Sequence, residues 1–462
     1  MNLSKCGTAL FIFSFTLGGF FAYILWIGWV LRFSICYLPF IILFFWKSLQ
    51  KAKYVPLASM FLALFITEAF PSYITLMILF IALYPLFMAL NSLAERISAL
   101  HSSNKNAEVG KEKSNIIKPL IIALAIGMLA FMLSGFRSVT STYFALENPR
   151  LIADTEPGFN FNYFLKALLA HPTTEEDGST MLYYAESGGY IGYIGLFLSL
   201  AGIVISLKDK RLFPLFLLLS FLVVYSFGHN SPLDLWGLLH TLPLFSSQRA
   251  PVRAMSFIFF LLTLFSGVGL SRIEKKNKDI ANTLLVISVV GFIILNMPRL
   301  GPPFWNKPYT EYPKFDYNFH QEGEVGDSMY VSTIKGVGLA NYHTSNCPKN
   351  NASMINTPEY RGEVYLLGGG SAEVVRFTPN EVEVRVNATA EDILILNQNY
   401  YSGWEANSQP AIETNGLVSF DVKSAIRNVT FSYYPPGMTL GLVLTIIGVI
   451  TSIVIYIKFK NQ

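Results

Sequence analysis

The chain has 462 residues, of which 52% are hydrophobic and only 14% charged, and its mean hydropathy is +0.43. A soluble domain carries about 25% charged residues, so this composition predicts an integral membrane protein. The net charge of +4 comes without a basic stripe interleaved with aromatic residues, so a nucleic-acid partner is not indicated. Cys6, Cys36 and Cys347 do not form a disulfide framework or a zinc-type spacing, and no metal site is expected.

Apolar segments along the chain predict a polytopic bundle of about ten transmembrane helices. A crossing takes roughly 20 residues, so the short segments 34–48 and 54–69 are open to a tilted, re-entrant or interfacial placement. The first segment follows Lys5 and is long enough to span, which favours a first transmembrane helix over a cleavable signal. The predicted spans are 9–31, 34–48, 54–69, 71–93, 116–135, 188–207, 212–228, 252–271, 280–297 and 438–457.

The distribution of basic residues predicts the orientation of these spans. Lysine and arginine concentrate in alternate loops, which the positive-inside bias assigns to the cytoplasm. Residues 1–297 then form the transmembrane region, with external loops at 136–187 and 229–251. Residues 298–437 form an extracytoplasmic domain, and 438–462 form the last helix with a short cytoplasmic tail.

The segment 298–437 has the pattern of a β-domain. Short runs alternate apolar and polar residues, and turn signals rich in Gly, Pro and Asn separate them. Strands at this spacing predict a small β-sandwich or jelly roll before the last helix. The predicted strands are Glu373–Phe377, Glu381–Asn387, Ile393–Asn397, Val418–Val422 and Asn428–Tyr433.

Two arginines, Arg249 and Arg253, lie at the outer end of a predicted span. Positive charge there runs against the usual bias, and arginine beside a helix N-terminus suits a phosphate group. Ser246 or Ser247 is expected to cap this helix, with Pro251 in its first turn. Two interpretations are open: the arginines bind a phosphate-bearing ligand, or they snorkel to ordinary phospholipid headgroups.

Three carboxylates near the outer face are candidates for a catalytic base. A sugar transferase that uses a lipid-phosphate donor needs a carboxylate to activate the acceptor hydroxyl. Glu175 belongs to an acidic cluster, Glu186 directly precedes a span, and Glu68 ends a short span. The alternatives are a solvated loop for Glu175 and Glu186 and a plain interfacial position for Glu68.

Two other side chains are candidates for contacts with a sugar or a loop. His229 shares the loop 229–251 with the arginines and His240, and a packing or hydrogen-bonding role is open for both histidines. Trp404 ends the aromatic run Tyr400–Trp404. Clustered aromatic rings stack on sugars or close a hydrophobic core, and core packing is the favoured interpretation here.

The order of several short motifs resembles that of a known family. Together with the predicted topology, the motifs resemble the bacterial YfhO-like membrane proteins, of the GT-C type of glycosyltransferase, over roughly residues 20 to 458. The motifs are Glu186 with Tyr190–Gly192, Phe227–Pro232, Leu242–Phe245, Gln248–Arg253, Asn399–Ala406 and Phe431–Gly437.

The resemblance implies an enzyme of the bacterial cytoplasmic membrane. Such an enzyme takes a sugar from a polyprenyl-phosphate donor at the outer face and passes it to an envelope polymer or a glycolipid. In this chain Arg249 and Arg253 would hold the donor phosphate, and membrane lipid would surround the spans. The donor is the only cofactor-like ligand that the resemblance implies.

The chain departs from the GT-C pattern at its N-terminus. Those enzymes usually place catalytic acids in the first external loop, whereas the first acidic residue here is Glu68. The chain therefore resembles a C-terminal portion of the pattern, as in a truncated or split enzyme whose partner chain supplies N-terminal helices. A non-catalytic protein that binds lipid-linked glycans is the main alternative. A transporter is disfavoured because the spans hold almost no ionisable residues away from their ends.

Overall fold

The computed structural model describes residues 3–21, 30–101, 116–148, 158–169, 187–243, 245–246, 248–296, 321–322, 338–339, 351–355, 357–378, 380–423 and 427–460. The chain divides into two compact units. The helical unit comprises Met1–Ser134, Asp154–Lys307 and Thr445–Gln462. The β unit comprises Gly135–Ala153 and Pro308–Leu444.

Most of the described chain is helical. Several helices carry proline in the first turn, where its missing N–H would have no partner in any case. Ser4 caps the first helix by accepting a hydrogen bond from the Gly7 N–H. The helices are α1 (Lys5–Leu17), α2 (Leu38–Gln50), α3 (Val55–Glu68), α4 (Pro71–His101), α5 (Lys118–Leu133), α6 (Gly135–Glu147), α7 (Phe161–Leu169), α8 (Gly192–Ser206), α9 (Phe213–Ser226), α10 (Leu235–His240), α11 (Met255–Lys276), α12 (Lys278–Asn296) and α13 (Met438–Phe459).

Several of these helices are long and apolar enough to span a membrane. Within the described residues there are five, or six if α5 and α6 count as one bent span. This is fewer than the predicted ten, because helices such as α8 and α9 are apolar but shorter than a full crossing. The five are Phe33–Gln50, Pro71–Ser98, Pro251–Lys276, Lys278–Leu295 and Met438–Phe459.

Helix α11 is the most enclosed element of the helical unit. Every residue from Pro251 to Ser271 is buried. Its buried hydroxyl groups donate hydrogen bonds to backbone carbonyls of the same helix. For example, the Thr263 hydroxyl donates to the Phe260 carbonyl at 2.8 Å. A hydrogen bond also joins α11 to α8, where the Ser199 hydroxyl donates to the Leu262 carbonyl at 2.8 Å. An apolar helix without a polar face can be buried on all sides in this way.

Glycine residues allow helices α1 and α8 to pack closely against α11. A Cβ added to Gly7 of α1 would lie 2.4 Å from the carbonyl oxygen of Gly267. A Cβ added to Gly202 of α8 would lie 2.0 Å from the carbonyl oxygen of Phe265. Such small-residue contacts bring helix backbones together where side chains of any size would hold them apart.

The β unit contains two antiparallel sheets that share one apolar core. One sheet has the strand order β3-β6-β10-β9 and the other β4-β5-β11-β7-β8. Leu394 and Val418 from the first sheet pack in the same cluster as Val384 and Phe431 from the second. The strands are β3 (Val364–Leu366), β4 (Ser371–Thr378), β5 (Glu381–Asn387), β6 (Asp392–Asn399), β7 (Trp404–Ala406), β8 (Gln409–Pro410), β9 (Ile412–Thr414), β10 (Leu417–Val422) and β11 (Asn428–Tyr433), with a short parallel pair β1 (Gln321–Glu322) and β2 (Gly338–Leu339).

The prediction of a β-sheet region before the last helix is confirmed. All five predicted strands are present as β4, β5, β6, β10 and β11, with ends shifted by no more than two residues. The alternation that identified them is visible in β5, where Val382, Val384 and Val386 are buried and the residues between them are not.

The region 136–187, predicted as an external loop, contains two helices. Helix α6 covers most of its start and α7 lies near its middle, while 149–157 and 170–186 lie outside the described residues. The Ser- and Thr-rich sequence of α6 favours a loop. In the structure, however, the hydroxyls of Thr140 and Thr142 donate to the carbonyls of Phe136 and Ser138 within the helix. These bonds let hydroxyl residues sit in a helix interior.

Because α8 and α11 are in close contact at Gly202, adding one methyl group there should change the stability of the protein strongly. We expect Gly202→Ala to force the two helices apart and to lower the free energy of unfolding by about 1–3 kcal/mol. The matched control is Gly127→Ala in α5, where an added Cβ meets nothing within 4 Å. The control is expected to be neutral or more stable by up to about 1 kcal/mol. Thermal unfolding of the detergent-solubilised protein measures both, and equal melting temperatures would contradict the contact.

Candidate functional site

Arg253 is a buried arginine at the start of the most enclosed helix. It lies in the 3₁₀ turn Pro251–Ala254 that leads into α11, and only 4% of the residue is exposed. Its Nη1 donates to the Ser72 hydroxyl at 3.2 Å, and its guanidinium carbon lies 5.4 Å from the centre of the Phe70 ring. Burial by protein atoms favours a fixed position within the helical unit over snorkelling.

Arg249 lies four residues earlier and is exposed. The turn that contains Arg253 begins with Pro251, as expected. The residue at its N-cap is Ala250, and no side chain caps the turn. The predicted cap by Ser246 is wrong, because its hydroxyl donates to the Pro243 carbonyl at 2.9 Å instead. Ala250, directly before the turn, has an extended backbone conformation. Ser247 lies outside the described residues.

Gln248 anchors the segment that carries both arginines. It is 4% exposed, and its side-chain amide donates to the Thr75 hydroxyl at 3.0 Å. Its backbone carbonyl lies 2.9 Å from His240 Nε2, which must donate because a carbonyl only accepts. Thr75 and Ser72 lie three residues apart in the first turns of α4, so one helix end holds both Gln248 and Arg253.

His229 forms a pair with Asp234 in the same loop. Its Nδ1 lies 2.7 Å from Oδ2 of the carboxylate, whose Oδ1 accepts the Gly237 N–H at 2.7 Å and so caps α10. Burial opposes ionisation of this carboxyl. The bonds from Gly237 and His229 and the charge of His229 outweigh burial and hold the pKa of Asp234 below its ordinary 3.8.

Aromatic packing fixes α10 between this pair and the arginine segment. Trp236 is 1% exposed, and its ring centre lies 5.0 Å from that of His240 and 5.4 Å from that of Tyr225 in α9. Its indole Nε1 has no hydrogen-bond partner among the residues that the structure describes. The described part of 229–251 is therefore packed against α9 and is not a free connection.

The structure places one of the three candidate carboxylates. Oε1 of Glu68, at the end of α3, accepts a hydrogen bond from the Tyr37 hydroxyl at 2.7 Å. Glu175 and Glu186 lie outside the described residues. Trp404 belongs to the β unit, where it packs against the apolar core with its ring centre 5.3 Å from that of Tyr433. The arginines and Trp404 thus belong to different units.

A cavity of about 360 Å³ lies at the first turn of α7. Asn160 begins the turn, where its side chain accepts the Tyr163 N–H at 2.8 Å. The Tyr163 hydroxyl lies 2.6 Å from the Ser187 hydroxyl. This cavity does not include the arginine segment; its lining residues are Asn160, Phe161, Asn162, Tyr163 and Lys166.

Comparisons with known proteins add no family to this geometry. No family model, no curated protein and no solved structure matches the chain. Within the described residues, no group of three or more His, Cys, Asp and Glu side chains is arranged to hold a metal ion. Charge marks the two arginines in the sequence, whereas Gln248 is uncharged, and Ser72 and Thr75 are uncharged and distant along the chain, so no sequence pattern identifies them.

The Asp234 carboxylate predicts an acid-dependent loss of stability. The pKa of Asp234 is lower in the folded protein than in the unfolded chain. The carboxylate therefore contributes its full stabilisation above pH 3.8, and this stabilisation is lost as the pH falls through the folded pKa. We expect Asp234→Ala to lower stability by about 1 kcal/mol near neutral pH, since it removes the cap of α10. Asp234→Asn keeps a capping oxygen but has no carboxyl group to titrate. The difference in stability between this variant and the wild type should therefore vanish in acid.

Melting temperatures of the detergent-solubilised protein between neutral and acid pH measure these effects. The matched control is Asp279→Asn, an exposed aspartate in the first turn of α12. A stability difference between Asp234→Asn and wild type that stays constant with pH would contradict the depressed pKa.

Proposed function

We propose that this chain is a polytopic protein of the bacterial cytoplasmic membrane that binds a lipid-linked phosphate through Arg249 and Arg253. The observation that carries the proposal is the buried, oriented guanidinium of Arg253 at the start of α11. The long apolar helices support a membrane protein, and the apolar segments and basic residues of alternate loops in the sequence favour about ten crossings with the β unit outside.

The surroundings of Arg253 suit a phosphate ligand. A guanidinium offers several N–H donors in a planar fork that matches phosphate oxygens. The Ser72 hydroxyl and the Phe70 ring orient this fork, and the backbone start of α11 adds the positive end of a helix dipole. Exposed Arg249 gives the same segment a second cation that the ligand meets first.

A polyprenyl-phosphate sugar is the ligand that the YfhO-like resemblance implies, and glycosyl transfer at the outer face is the reaction. In that reaction the acceptor hydroxyl attacks the anomeric carbon and a carboxylate takes its proton. The bond from that carbon to the phosphate oxygen breaks, and polyprenyl phosphate leaves. Glu186, Glu175 and Glu68 are the proposed candidates for the base. The acceptor is an envelope polymer or a glycolipid.

A binding role without transfer is the second candidate function. It is favoured by the hydrogen bond that the Glu68 carboxylate already accepts from Tyr37. In this reading the protein holds a lipid-linked glycan for another enzyme or for a partner chain.

The arginine site predicts a specific loss of donor binding. We expect Arg253→Gln to weaken binding of a polyprenyl-phosphate sugar about 10- to 100-fold, because hydrogen bonds to a charged group are worth about 1.5–3 kcal/mol. Arg249→Gln should weaken it less, since exposed charges are screened. The matched control is Arg272→Gln, an exposed arginine near the other end of α11, which should bind as the wild type does.

Binding is measured with the purified protein in nanodiscs by titration with the labelled donor. Melting temperature and size-exclusion profile show whether each variant is folded, and Arg253→Lys tests the charge with less loss of packing. Wild-type affinity in folded Arg253→Gln would overturn the site. Release of polyprenyl phosphate with an added acceptor then separates transfer from binding alone.

A further inference from the structure

Helix α6 packs against the beginning of α13 inside the β unit. A Cβ added to Gly441 of α13 would lie 2.5 Å from the carbonyl oxygen of Gly135. A Cβ added to Gly437 would lie 2.6 Å from the Tyr143 ring and 2.8 Å from Val139. Gly437 also has φ +77°, which a residue with a side chain adopts with strain. These close approaches fix α6 beside the first turn of α13.

The start of α13 carries apolar side chains that face away from the protein. The helix has 22 residues and is among those long and apolar enough to cross a membrane, and little of it is buried. In its first two turns Leu440, Leu442 and Val443 are each about half exposed. An apolar helix with this exposure is stable where lipid covers it.

The exposed apolar surface continues from α13 onto α6. Leu146 is 76% exposed, and the Phe136, Tyr143 and Phe144 rings are 40–50% exposed. The polar residues Arg137, Ser141 and Thr142 are exposed on the remaining arc of the helix. A short helix with an apolar arc, a polar arc and aromatic rings is typical of the interface between headgroups and acyl chains.

We propose that α6 lies in the membrane interface, with its apolar arc in contact with phospholipid at the level where α13 enters the bilayer. The partner of this surface is the lipid itself. The inference uses the crossing of α13 and is independent of the phosphate site at Arg253.

The far end of α6 is hydrogen-bonded to the turn before β7 of the same unit. The Ser402 hydroxyl and N–H both donate to the Glu147 carboxylate, the N–H at 3.4 Å. The Phe144 ring centre lies 5.3 Å from that of Tyr401. Burial and the nearby charge of Glu147 raise the pKa of Tyr433, so this hydroxyl stays neutral beside the carboxylate. A helix held by lipid along one arc and by these bonds at its end seats the β unit on the membrane surface.

Site-directed spin labelling of the full chain in phospholipid nanodiscs tests this placement. In a background without Cys6, Cys36 and Cys347, a nitroxide is attached at Leu146→Cys or Ser141→Cys. At 100° per residue the two positions lie about 140° apart around α6. The accessibility of each label to oxygen, which dissolves in lipid, is compared with its accessibility to a water-soluble nickel chelate. A label at Val443→Cys in α13 gives the reference for lipid contact.

We expect the oxygen-to-nickel accessibility ratio at Leu146 to be several-fold higher than at Ser141 and at or below the value at Val443. Equal ratios at Leu146 and Ser141, with high access to nickel, would show a water-exposed helix and overturn the proposal. Low access of both reagents to Leu146 would show that protein covers the surface, which also overturns it. Phe136→Cys gives a second label on the apolar arc in case one variant misfolds.

Discussion

The burial of α11 from Met255 to Ser271 is the constraint on which the helical unit depends. Lipid tails are as apolar as leucine, so helices that associate in a membrane gain little from hydrophobicity and rely on close packing and interhelical hydrogen bonds. Helix α11 has both. Gly7 and Gly202 admit the neighbouring backbones, and Ser199 donates to the Leu262 carbonyl. A helix enclosed in this way has little freedom to slide or tilt, and the turn at its start is therefore also held in a fixed position.

The rigidity of α11 explains how a charged side chain is kept in a fixed place. Burying a guanidinium costs free energy, and the cost rises if its hydrogen-bonding groups lose their partners. Arg253 keeps a hydroxyl partner in Ser72 and an aromatic face in Phe70, while Gln248 ties the preceding segment to Thr75. Both tethers end on α4, so the arginine segment, α4 and α11 form one support. Binding sites gain affinity from this preorganisation because little is left to order when the ligand arrives.

The β strands could be predicted closely, but the environment of the arginines could not. Strand periodicity is a local signal, and residues such as Val382 and Val384 carry it within a few positions. The partners of Arg253 and Gln248 lie 181 and 173 residues away, and Ser72 and Thr75 have no charge or motif to mark them. Among the described residues, fewer helices than predicted spans are long enough to cross a membrane, because hydropathy detects apolar runs, whereas the length of a helix also depends on where the chain must turn.

The aromatic run Tyr400–Trp404 shows how a conspicuous motif is explained by packing. Tyr400 and Trp404 pack against the core of the β unit, and Ser402 holds Glu147. Gly403 has φ +99°, and a Cβ there would lie 2.3 Å from the Tyr434 carbonyl oxygen, so the turn requires glycine. Each residue type in the run thus has a structural reason that involves no sugar. Arg253 differs, because its guanidinium is a charged group that is costly to bury even with the Ser72 hydroxyl and the Phe70 ring beside it. The chemistry of ligand binding is therefore best sought at the start of α11.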